Sequence, residues 1–314
     1  MMKGVFRVDG TDADACDGRV VWSPAKSIWN TTMIVVTIVF APLTATVSSV
    51  ALFLVMTYLT LLLGHSVGMH RKLIHRTFAC HKWLERTLIY IGVLVGVAGP
   101  FGVLRVHDGR DWAQRQPRCH DFFSHRRAPL MDLFWQLHCE FRYTRAPRFT
   151  IERELASDPW YRFLQTTWML QQLPVALVLL AIGGWSWVVW GVAVRVCVSV
   201  VGHWSITYWC HNPGPGTWRV LGAGVQASNL NGLGLLTYGE CWHNNHHAFP
   251  ESARIGLEQG QLDPGWWVIR LFEKLGWAWN VGLPRSESER EDLVRLKIVA
   301  PPESAPAASM RGAR

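Results

Sequence analysis

The residues best suited to chemistry in this chain are histidines. The segment Gly239-Glu-Cys-Trp-His-Asn-Asn-His-His-Ala-Phe-Pro250 carries His243, His246 and His247 within five positions. On a helix His243 and His247 share a face four residues apart, and His246 joins them at a spacing of three. Neutral imidazole suits iron, zinc and copper, so the cluster reads as a metal site. A second segment, Gly68-Met-His-Arg-Lys-Leu-Ile-His-Arg76, holds His70 and His75. Five residues of regular α-helix separate two side chains by about 140°, which suits two neighbouring metals better than one chelate. His107 opens His107-Asp-Gly-Arg110-Asp111, and His211 closes Thr207-Tyr-Trp-Cys-His211. His65 and His81 read as structural, and His203 either faces the site or satisfies a helix neighbour.

The elements that must position these side chains are apolar. The 314 residues are 49% hydrophobic and only 17% charged, below the roughly 25% of ordinary soluble domains. No charged residue or histidine occurs from Ser27 to Gly64 or from Phe163 to Val194. Such runs exclude a soluble globule and a mainly disordered chain. At about 1.5 Å per residue each run exceeds a bilayer core of about 30 Å. The first divides near Pro42 to Thr46 into helices Ile28–Ala45 and Val47–Val67. The second, extended to about Thr207, divides at Gly183-Gly184. The expected fold is therefore all-α and integral to the membrane, with four transmembrane helices in two hairpins and a histidine-rich cap on one side. Thr87 to Leu104, rich in glycine, is at the lower limit for spanning and reads as re-entrant or interfacial. Gly265 to Trp279 reads as a Trp-rich surface stretch.

The net charge of +8 sits in the loops between the apolar blocks. This fits positive-inside bias and attraction to anionic lipid rather than nucleic-acid binding, for which no reader element is visible. Seven scattered cysteines without a CxxC pair argue against a disulfide framework. The first 26 residues have no apolar core and do not read as a signal peptide. The expected divisions are an N-terminal cytosolic segment 1–27, a membrane domain 28–299 and a disordered Pro/Ala/Ser-rich tail 300–314.

The segments around His70 and His247 closely resemble the histidine boxes of the integral-membrane fatty acid desaturases, the stearoyl-CoA desaturase-like di-iron enzymes. The last box matches that family's pattern except that Cys241 replaces a glycine. The order of spans and boxes matches as well, from about Asn30 to Leu283. The resemblance implies four spans with all boxes on the cytosolic face. It also implies two irons held by His70, His75, His107, His211, His243, His246 and His247, with dioxygen as co-substrate. The middle box departs from the family's H-x-x-H-H, because Arg110 and Asp111 stand where two ligands belong. Arg110, permanently charged, cannot ligate, whereas Asp111 offers a carboxylate. His120, His125 or His138 is a further source of the missing nitrogen. Thr207 replaces the asparagine of the family's N-S-x-x-H.

The resemblance further implies an oxygen-dependent desaturase placing a double bond in a CoA-, carrier- or lipid-bound acyl chain. An acetylenase or hydroxylase acting on a specialised acyl chain is an alternative, as is a non-catalytic desaturase-like membrane protein. Glu240, Asp108 and Asn244 are candidates for orienting the ligands. Arg71, Lys72, Arg76, Arg105 and Arg110 either hold a phosphate-bearing headgroup or anchor the cap to lipid. No haem-binding pattern or iron–sulfur cysteine set is present, so electrons would come from a separate ferredoxin or b-type cytochrome with its reductase.

Overall fold

The computed structural model describes residues 7–286 and 289–296; the expected tail 300–314 lies outside the described residues. The described residues are mostly helical, and among them three helices are long and apolar enough to cross a membrane: Pro24–Thr44, Val47–Ile74 and Gln172–Cys210. Their apolar side chains face outward, as at Ile38, Leu43, Val47, Leu177 and Ile182. Such a surface is stable only against lipid or another apolar partner.

The first two helices meet where the sequence places their boundary. Pro24–Thr44 starts on a proline, whose missing N–H costs nothing in a first turn. Val47 opens the second helix behind a reciprocal cap, in which Thr46 Oγ1 accepts from Ser49 N and Ser49 Oγ accepts from Thr46 N. The third helix runs for 39 residues but breaks its geometry at Gly184, with φ 68° and ψ −164°. A side chain at that left-handed position would be strained, so glycine marks the break.

The region expected to be re-entrant forms two shorter helices, Lys82–Leu94 and Pro100–Arg115, separated at Gly96. Neither reaches spanning length. Pro264–Lys274 forms the expected Trp-rich helix, burying Ile269 and Phe272 and exposing Trp267 and Leu271.

The all-α expectation needs one correction. Among the described residues, four two-stranded antiparallel ribbons pin the cap together: Val8–Asp9 with Arg148–Phe149, Gly18–Trp22 with Cys139–Tyr143, Ala79–Cys80 with Ala278–Trp279, and Trp218–Val220 with Leu293–Arg295. Each pairs segments far apart in sequence, which strand periodicity in so few residues does not announce. The N-terminal segment is thereby built into the cap. Arg7 is buried, donating to the carbonyls of Leu73 and Ile74 and pairing with Asp108 at 2.8 Å and Glu152 at 2.9 Å.

Under the cap, Met69, Leu73, Ile89, Val93, Leu104, Tyr161 and Leu164 form one apolar core. A second, around Val67, Phe78, Leu88, Ile269 and Phe272, seats Pro264–Lys274 on the same side. Both flank the C-terminal half of Val47–Ile74, so that half is held on two sides.

Candidate metal centre

That half is wound differently from an ordinary helix. Thr60–Ile74 is π-helical, and at its end His75 N donates to His70 O, five residues back. Such winding is rare, occurs mostly as single turns, and is frequent at functional sites. Each residue turns less than in an α-helix, so residues five apart return to one face. The expected 140° separation is therefore corrected. His70 and His75 stand together, ring centroids 4.9 Å apart, and belong to one group.

That group is His70, His75, His107 and His246, with ligand nitrogens all within 4.8 Å of one another. His107 comes from Pro100–Arg115 and His246 from the short helix His243–Ala248. His70 Nε2 and His246 Nε2 are 3.1 Å apart. A second group is His211, His243 and His247. His247 Nε2 lies 3.2 Å from His243 Nε2 and 3.4 Å from His211 Nε2. The sequence spacing groups His246 with His243 and His247, and the structure separates them. On the actual short helix, a step of one residue turns about 100°, so His246 and His247 serve different groups. The centroids of His246 and His247 are only 5.9 Å apart, so the groups adjoin.

These donors fit metal. Two nitrogens each about 2.1 Å from one ion are about 3.0–3.4 Å apart, which matches the Nε2 separations. His75 Nε2 is buried without a hydrogen-bond partner, an orphan that a bound ion would satisfy. Burial above all, then crowding by neighbouring histidines and, for all but His246, nearby arginines, holds His75, His211, His246 and His247 well below the usual imidazole range and His243 at about 4. The rings are therefore neutral near pH 7, the form that ligates.

The far side of several rings is fixed. His70 Nδ1 is 2.6 Å from Glu240 Oε2. Glu240 is itself held by Arg71 at 2.9 Å, and Arg71, 1% exposed, also pairs with Asp263 at 2.8 Å and touches Ser66 Oγ. Gly239 lets this happen. Its φ is 96°, and a Cβ there would strike Asp263. His211 Nδ1 donates to Thr207 O at 2.7 Å, turning its Nε2 toward His247. His107 Nδ1 faces Asp108 at 3.4 Å and Asp111 at 3.7 Å.

Other expected residues fall elsewhere. Asn244 orients no histidine: it accepts from Thr217 N and Trp218 N and fastens that loop to the short helix. His120 joins neither group; its Nδ1 accepts from Phe122 N, and its ring rests on Phe141. His138 bonds Ser27 Oγ. His65 and His203 pair with each other at 3.2 Å. Of the proposed headgroup cations, Arg71 is internal, Lys72 pairs with Glu85 at 2.8 Å and Arg76 with Glu152 at 3.4 Å. Cys241 is fully buried beside Trp242 and Ile255, where its small side chain replaces the family's glycine without displacing the box. Arg7 and Asp263 were not anticipated; each lies in a remote segment, and no local pattern points to either.

The sequence pattern of the family described as fatty acid desaturase matches residues 45–281. The chain belongs to the fatty acid desaturase family. It is 36% identical over 247 residues to an sn-1 stearoyl-lipid 9-desaturase of Anabaena variabilis, covering 78% of this chain and 88% of that protein. It is 34% identical to Delta-9 acyl-lipid desaturase 2 of Arabidopsis thaliana, covering 76% and 75%. It is 30% identical to an acyl-CoA 5-desaturase of Anemone leveillei, covering 80% and 77%. This desaturase is accordingly an oxidoreductase acting on acyl chains.

Proposed function

We propose that this desaturase uses two irons and dioxygen to place a double bond in an acyl chain carried by a membrane lipid, by CoA or by an acyl carrier. The reading rests on one observation, the two adjoining histidine groups that share the helix His243–Ala248. His70, His75, His107 and His246 would hold one iron, and His211, His243 and His247, with the Asp111 carboxylate, the other. Imidazole and carboxylate both suit iron. Irons so held supply the oxygen activation needed to break two unactivated C–H bonds, which no side-chain acid or base can achieve.

The chain's own part is to orient and to exclude. Glu240 fixes His70, Thr207 O fixes His211, and Asp108 faces the outer nitrogen of His107. Reducing one dioxygen to two waters takes four electrons. The acyl chain gives two, so two come from a separate ferredoxin or b-type cytochrome with its reductase. The 39-residue helix broken at Gly184 would cross the bilayer twice, giving four spans and placing both groups on one side. The excess of basic residues in the loops supports a cytosolic position for that side.

Expression in a host whose fatty acids are known, followed by gas chromatography and mass spectrometry of their methyl esters, tests the reading. A new monoene is the expected product. An alkyne or alcohol without a new alkene would instead establish the acetylenase or hydroxylase alternative that the altered middle box keeps open.

A further inference from the structure

The two groups are unequal, with four imidazoles against three, because Arg110 and Asp111 occupy positions where the family carries histidine. Another imidazole stands beside the poorer group. His125, 1% exposed, has its Nδ1 3.0 and 3.2 Å from the two carboxylate oxygens of Asp132, which is itself fully buried. Asp132 Oδ1 also accepts from Trp204 Nε1 at 2.8 Å, and Trp204 lies on the helix that ends at His211. The His125 ring stacks on His211, centroids 5.5 Å apart and planes 25° apart. Asn212, the next residue, donates to His125 O at 3.1 Å and to Tyr208 O at 2.9 Å, tying the two histidines to one turn.

Two features set His125 apart from a core histidine. Its Nε2 is buried and has no hydrogen-bond partner, whereas buried polar nitrogens are ordinarily satisfied. Its backbone is left-handed, φ 54°, at the end of the short helix Asp121–Ser124, a position more often filled by glycine. A carboxylate on one ring nitrogen fixes the tautomer and leaves the other nitrogen as a lone-pair donor, the arrangement found behind most metal-bound histidines.

We propose that His125, oriented by Asp132, supplies the additional imidazole of the second metal half and so replaces a histidine missing from the middle box. Asp132 is a positioning residue in this arrangement, with Trp204 holding it. The inference rests on the two-iron reading, and the experiment separates the two.

Iron per chain and Mössbauer spectra are measured on the full-length protein in detergent for wild type, His125→Ala and Asp132→Asn. About two irons in wild type uphold the two-iron reading, and about one or none overturns it regardless of His125. With two in wild type, His125→Ala is expected to lose one iron while the signal of the other is unchanged. Asp132→Asn is expected to release one iron to a chelator about 10–100-fold more readily. Because Asp132→Asn keeps the side chain's shape, it decides the matter if His125→Ala fails to fold. Retention of both irons with unaltered spectra, or loss of both in parallel, would overturn the role of His125.

Discussion

The two histidine groups are built to different standards. The first has four imidazoles, and a buried ionic chain of Glu240, Arg71 and Asp263 stands behind His70. The second has three and a backbone carbonyl behind His211, while the Asp111 carboxylate lies 3.7 Å from His107 of the first group. The first group draws on a π-wound helix, the helix Pro100–Arg115 and the short helix His243–Ala248. Arg7 braces it further by closing over Leu73 O, Ile74 O and Asp108. The second hangs from one helix end and the other face of the same short helix. Buried ion pairs thus stand behind the first group, whereas the second relies on a helix end and a backbone carbonyl.

The sharpest way to break the comparison is to remove the residue that joins the groups. His246→Ala takes a ligand from the first group and sits beside His247 of the second. Product is expected to fall to background while the protein stays in the membrane; retained turnover would remove this box from the chemistry.

Glu240→Gln strikes the better-built group through its support. Loss of the carboxylate beside His70 is expected to weaken iron there about 10–100-fold, read as faster loss to a chelator. If iron leaves both positions equally, the ionic chain does not serve the first group in particular. Asp111→Asn acts on the other side and is expected to loosen one iron about tenfold, with a parallel fall in turnover. Unaltered iron and turnover would exclude Asp111 as a ligand.

The smallest effect concerns the scaffold. Burial would raise the Glu85 carboxyl, but Lys72, Lys82 and Tyr161 together hold it at about 2, against an ordinary 4.5. A carboxylate held low in the folded state stabilises the protein above the ordinary value, and that stability is lost as pH falls from about 4.5 toward 2. Lys72 follows His70 by two residues on the same helix, so the pair ties that helix to Lys82–Leu94. Thermal unfolding in detergent should show Glu85→Gln less sensitive to pH than wild type across that window. Identical pH profiles would mean that the pair contributes nothing to stability.

Much of this was legible in the sequence because metal ligation demands particular side chains. All seven histidines assigned by motif fall in one of the two groups. Their partition was not legible. His70 and His75 look divergent under a 3.6-residue period, and nothing in Thr60–Ile74 announces π-winding. His246 and His247 look like one cluster until the helix turns them apart. The supports were harder still: Arg7 and Asp263 reach the site across more than a hundred residues of chain, through contacts that only the folded cap creates. Helix breaks left local signals at Thr46, a cap, and at Gly184, a glycine with positive φ. The short ribbons left none.

The most direct test of the account is metal content. Protein purified in detergent from iron-replete cells should carry about two irons per chain, with zinc counted alongside because imidazole sites accept it. A value near one or below, without zinc making up the difference, would contradict a second metal position held by His211, His243 and His247.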